Sequence, residues 1–95
     1  MQEGDDIVHL PIDGVLDLHT FSPSEVSSLV DDYLDECRKK GIYQVSIIHG
    51  KGKGVLRRIV HSALKKNPSV AGFHLDHGPS GWGATVVYLN EDSYR

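Results

Sequence analysis

Between Tyr43 and Lys66 the chain reads YQVSIIHGKGKGVLRRIVHSALKK. YQVSIIH, Tyr43 to His49, is rich in β-branched residues and predicts a strand. Leu56, Ile59, Val60, Ala63 and Leu64 lie on one helical stripe, stopped by Asn67 and Pro68, and predict a helix that starts near Gly54 or Val55. Gly50, Gly52 and Gly54, interleaved with Lys51 and Lys53, join the two. A strand, a short glycine-lysine loop and a helix make up half of a crossover unit, and the flanking sequence supplies the rest.

Upstream, GVLDLHT (Gly14 to Thr20) is short, partly alternating and bounded by turn residues, which predicts a first strand. Ser22 then suits a helix N-cap, Pro23 the first helical position and Glu25 the third, the pattern of a capping box. Val26, Leu29, Val30, Tyr33, Leu34 and Cys37 form one apolar stripe, with Asp31, Asp32, Asp35 and Glu36 opposite. Lys39 and Lys40 favour the C-terminal end of this helix, and Gly41 closes it. Downstream, SVAGFHLD is a weaker strand, HGPSGWG a turn-rich loop, and ATVVYLN, Ala84 to Asn90, a fourth strand. The order β-α-β-α-β-β predicts an α/β fold, an α+β two-layer sandwich. It has a four-stranded mixed sheet, both helices on one face and the other face left relatively open. Residues 1–13 read as an acidic tail (or a short edge strand at Ile7 to Leu10), 14–90 as the domain and 91–95 as a C-terminal tail.

Ninety-five residues allow one domain with a single core. They are too few for a full dinucleotide-binding fold. No apolar run approaches the length of a membrane span, and the acidic start lacks the order of a signal peptide. The single cysteine, Cys37, excludes an internal disulfide and suits a reducing cytoplasm. Net charge is −3, yet ten of the thirteen acidic residues lie in positions 3–36 and nine of the ten basic residues in positions 38–66. That asymmetry produces a dipolar surface with one face attractive to polyanions, unless the halves merely attract each other.

The glycine-lysine junction is where such a polyanion would be held. Free N–H groups and the positive dipole end of a helix N-terminus favour an anion. Glycines let backbone approach an oxygen closely, and Lys51, Lys53, Arg57 and Arg58 add full charges. The P-loop pattern fails, because no Gly-Lys is followed by Ser or Thr; GxGxxG fails at Val55. The plainer alternative is a flexible turn with solvated lysines. Asp17 and His19 are two apart on a strand and share a face at its C-terminal end, where sites gather in α/β sheets. His49 ends the second strand at the same edge. A carboxylate beside an imidazole, with cations nearby, suits phosphodiester cleavage, the alternative being a surface ion pair. His74, Asp76 and His77 add possible metal ligands, but their spacing matches no established site. Trp82 could stack on a base or close the rim of the core.

Together, LDLH at Leu16–His19, IHGKGKG before LRRIV, and the glycine-rich turn before ATVVYL resemble the Smr (small MutS-related) domain family, from about Val15 to Leu89. The resemblance implies a fold similar to the C-terminal domain of translation initiation factor three. It also implies nucleic-acid binding, with endonuclease activity on DNA or RNA in many members. The family's LDxH motif falls on Leu16–His19, with Asp17 and His19 implicated in cleavage. Its HGxG or TGxG motif falls on His49–Gly52, for which the resemblance implies contact with phosphate, and its GxGAT turn on Gly81–Thr85. In larger relatives this domain is joined to an ATPase or to RNA-binding repeats, and these 95 residues read as the domain with its two tails.

Two functions follow as expectations: an endonuclease, or a non-catalytic nucleic-acid-binding module. The catalytic set would be Asp17, His19 and His49; if a ribose 2′-hydroxyl attacks, the two imidazoles would serve as base and acid without metal. The phosphate-binding set would be Gly50, Lys51, Gly52, Lys53, Gly54, Arg57 and Arg58, with Trp82 as a stacking residue. A pocket for a small phosphorylated metabolite ranks last, since the basic run is longer than one such ligand needs. The partner is DNA or RNA, with no membrane and no obligate protein partner evident. No cofactor is implied, and dependence on a divalent metal stays open.

Overall fold

The computed structural model describes residues 11–50, 52, 54–76 and 83–91. The edge strand expected at Ile7 to Leu10 lies outside these residues. Six elements form in the expected order: β1 (Val15–Asp17), α1 (Pro23–Lys39), β2 (Gln44–Ile48), α2 (Val55–Lys66), β3 (Val70–Leu75) and β4 (Ala84–Leu89).

Local chemistry accounts for most of these boundaries. Ser22 stands in extended conformation at the N-cap of α1, and Glu25 Oε1 accepts its N–H at 3.0 Å. The predicted stripe of α1 faces inward, with Val26, Val30, Tyr33, Leu34 and Cys37 all buried. β1 is shorter than expected because the chain turns at His19 and Thr20; Leu18 nonetheless keeps the ladder, its N–H donating to Ile48 O at 2.9 Å.

The sheet order is β1-β2-β4-β3. β1 pairs parallel with β2, while β4 runs antiparallel between β2 and β3. The last strand therefore takes an inner position. That suits ATVVYL, whose residues are mostly buried. A register shift between Val70 and Gly72 adds one residue to β3, so Val70 and Phe73, three apart, both pack against the core.

The core lies between the two helices and one sheet face. Leu16, Leu18, Val45, Ile47, Val87 and Leu89 meet the α1 stripe together with Val60, Ala63 and Leu64 of α2. By strand alternation the other face carries Val15, Ile48 and Tyr88, which stay 48%, 36% and 39% exposed. Tyr33 ties the two layers together: its hydroxyl accepts the Gly14 N–H at 3.1 Å and donates to Val15 O at 3.0 Å. No helix among the described residues is long and apolar enough to cross a membrane.

Candidate functional site

Strand pairing brings the two expected sites to one edge. Asp17 is the register partner of Ile48, so β1 ends one residue short of where the glycine loop departs at His49 and Gly50. Leu16 and Leu18 point into the core, which turns Asp17 to the open face. His19 folds back onto it. Its backbone N–H donates to Asp17 Oδ1 at 3.0 Å and its Nδ1 lies 2.9 Å from the same oxygen. A carboxylate only accepts, so Nδ1 carries the hydrogen and a neutral His19 presents Nε2 as its lone pair. The couple is accessible, with side-chain exposures of 76% for His19 and 48% for Asp17. The bond from the His19 side chain, then that from its backbone, holds the Asp17 carboxyl below its ordinary value.

His49 is placed differently. It continues the alternation of Val45 and Ile47 and therefore faces the helix layer, 7% exposed. Both ring nitrogens are engaged within the protein: Nδ1 with Gly50 O at 3.0 Å and Nε2 with Thr85 Oγ1 at 2.8 Å. The same Thr85 oxygen lies 2.8 Å from Nε2 of His61 on α2, and the two imidazoles stand edge-on at 6.1 Å. Burial pushes both rings below the ordinary imidazole value, with Arg57 adding to the shift in each and the neighbouring His49 in His61. His19 and His49 thus lie on opposite sides of the sheet edge. From sequence Thr85 entered only as the end of the GxGAT turn, with no role given to its side chain, and His61 was not singled out. Parity along YQVSIIH could have placed His49 inward, but nothing local links it to a helix residue twelve positions on.

The loop itself is anchored at both ends. Gly83 O, just before β4, accepts N–H groups from His49 at 2.9 Å and Gly50 at 2.8 Å. Gly50 and Gly54 both take left-handed conformations, at φ +78° and +81°. Gly54 caps α2, and the two arginine side chains gather over it. A Cβ built there would lie 2.8 Å from Arg57 Nη2 and 3.6 Å from Arg58 Nη1. The N-terminal end of α2 therefore combines the backbone N–H groups of a first helical turn, a positive dipole end and two guanidinium groups, with Gly52 exposed just before it in the chain. Lys51, Lys53 and Trp82 lie outside the described residues. So does His77 of the possible metal set, while His74 is engaged by Leu75 O at 2.8 Å and Tyr88 Oη at 3.1 Å. Among the described residues no three His, Cys, Asp or Glu side chains converge as a metal site would require.

Comparison with known proteins bears on the family and the fold. The profile of the Smr domain family matches residues 16–90. Over 79 residues the chain is 38% identical to the Endonuclease MutS2 of Clostridium tetani, covering 82% of this chain and 10% of that protein. Over 75 residues it is 43% identical to the Endonuclease MutS2 of Clostridium acetobutylicum, covering 78% and 10%. The chain thus spans about a tenth of the length of these relatives. The crystal structure of the Smr domain of Thermus thermophilus MutS2 matches with a TM-score of 0.76 at 34% identity, covering 82% of this chain and 99% of that one. YdaL, a stand-alone small MutS-related protein from Escherichia coli, matches at 0.75 and 27% identity, covering 85% and 67%. With a profile match running from β1 to the end of β4 and a fold shared with two solved relatives, the chain belongs to the Smr domain family.

Proposed function

We propose that this domain binds nucleic acid and cleaves its phosphodiester bonds, as the name of its MutS2 relatives suggests. The observation that carries the reading is the exposed Asp17–His19 couple, 2.9 Å apart, at the sheet edge from which the glycine loop departs. Nε2 of His19 takes the proton from the attacking hydroxyl, of water or of a ribose, as its oxygen bonds to phosphorus; the bond from phosphorus to the leaving oxygen breaks, and that oxygen takes a proton from solvent water. Asp17 holds the ring and stabilises the imidazolium that forms. Gly50, Gly52 and Gly54, with Arg57 and Arg58, hold the phosphate and offset its developing charge; Lys51 and Lys53 belong to the same set by sequence. Trp82 is assigned to stacking on a neighbouring base. His49 acts on the loop rather than on the proton, because both its nitrogens already serve Gly50 and Thr85.

The test incubates the purified protein and its Asp17→Asn variant with labelled single- and double-stranded DNA and RNA, with and without EDTA. Wild type should cleave at least one of the four. Asp17→Asn should cut about 10²–10⁴-fold more slowly and bind as well or better. Cleavage confined to RNA, resistant to EDTA and leaving a cyclic phosphate, identifies the 2′-hydroxyl as the nucleophile. Binding without any cleavage leaves the non-catalytic module; no binding at all overturns the proposal.

A further inference from the structure

Three side chains from three elements meet behind the glycine loop, none of them part of the Asp17–His19 couple: His49 after β2, Thr85 on β4 and His61 on α2. Their hydrogen counts allow one arrangement for two neutral rings. Gly50 O only accepts, so His49 Nδ1 carries the hydrogen of that bond. His49 Nε2 is then bare, and the Thr85 hydroxyl donates to it. Having spent its one hydrogen, Thr85 Oγ1 accepts from Nε2–H of His61. Thr85 is fully buried, so water does not compete for its hydroxyl. Phe73 of β3 packs against the His61 ring, their centroids 4.9 Å apart.

We propose that Thr85 and His61 are positioning residues for the glycine loop. Through this chain of three bonds they keep His49 in its Nδ1–H form, the one that donates to Gly50 O and fixes the left-handed turn from which the loop departs. An isolated imidazole side chain prefers the other tautomer, so the cluster works against the ring's own bias. The effect on phosphate rests on the loop's role as read above; the tautomer does not. Gly50 is thus held at both its backbone groups: its N–H donates to Gly83 O, and its carbonyl oxygen accepts from this ring.

Long-range 1H–15N correlation NMR on the imidazole rings of the full chain, above neutral pH, reads both tautomers directly. Wild type should show His49 protonated at Nδ1 and His61 at Nε2. Thr85→Val removes the hydroxyl at nearly constant volume and should shift His49 toward its Nε2–H form, while Thr85→Ser restores the wild-type pattern. Affinity for a labelled oligonucleotide should fall about tenfold in Thr85→Val and recover in Thr85→Ser. If Thr85→Val does not fold, His61→Leu at its half-buried site should give mixed His49 tautomers, and His61→Gln, which keeps an N–H donor, should not. His49 protonated at Nε2 in wild type, or unchanged in both Thr85→Val and His61→Leu, overturns the proposal. The expected tautomers in a protein that binds no oligonucleotide would instead remove the phosphate reading and leave this one standing.

Discussion

Replacing Gly54 with alanine changes the loop by one methyl group and separates two of its functions. Gly54 caps α2 at φ 81° and ψ 10°, a left-handed conformation that costs an L side chain about 1–2 kcal/mol. The new Cβ would also stand 2.8 Å from Arg57 Nη2, so the guanidinium must swing away. As the end of a flexible side chain it does so at little cost to stability. Gly54→Ala should therefore lose about 1–2 kcal/mol, a fall of about 4–8 °C in Tm per kcal/mol for a chain of this size. Oligonucleotide affinity should fall more than stability alone explains. Displacing one charge-assisted contact of about 1.5–3 kcal/mol weakens binding about tenfold or more. Gly50→Ala is the comparison: φ is +78° there too, yet the added methyl meets no atom within 4 Å. It should melt earlier by a similar amount and lose less affinity than Gly54→Ala, because no guanidinium is displaced. Thermal melts and fluorescence anisotropy measure both quantities. A Gly54→Ala protein that melts with wild type, or a Gly50→Ala protein that binds as weakly as Gly54→Ala, refutes the reasoning.

Tyr33→Phe leaves the buried Gly14 N–H without its acceptor and frees Val15 O, so urea unfolding should register a loss of about 1–3 kcal/mol; an unchanged midpoint would mean that the hydroxyl does not hold β1. Burial depresses the imidazole pKa of both His49 and His61, so below about pH 6.5 the unfolded chain binds more protons than the folded one. Stability should thus be complete above that pH and decline as acid approaches the folded-state values. The slope is at most about 1.4 kcal/mol per pH unit for each ring, and less for His61, which is partly exposed. A pH series of urea midpoints checks this, and a flat profile through that window would refute it. Arg58→Ala should weaken binding alike across nucleotide sequences and lower the salt slope of log affinity by about 0.7–0.9; an unaltered slope removes Arg58 from the phosphate contacts.

Much of this protein was legible from short stretches. The α1 stripe, its Ser22 and Glu25 start, and the strand-loop-helix division around the glycines all rest on signals spanning a few residues, and each formed where expected. Asp17 and His19 were legible as a pair because alternation along a strand is a local rule, and their bond closes within three residues. β3 was the weakest strand to read, because its extra residue shifts the register between Val70 and Gly72 and breaks that alternation.

Sequence by itself determined the elements, their order and the concentration of cationic and glycine residues at one junction, because periodicity, capping and turn chemistry act over a few bonds. Tertiary structure decided which strand neighbours which. The insertion of β4 between β2 and β3 brings Gly83 and Thr85 against His49 and Gly50 across more than thirty positions. It also decided that His19 and His49 face opposite sides of the sheet edge, and that His61 completes a bonded chain with Thr85. Those pairings depend on closing long loops around a shared core. The favourable term is the burial of Leu16, Ile47, Val87 and their helical partners as a whole, which no single stretch of the chain encodes.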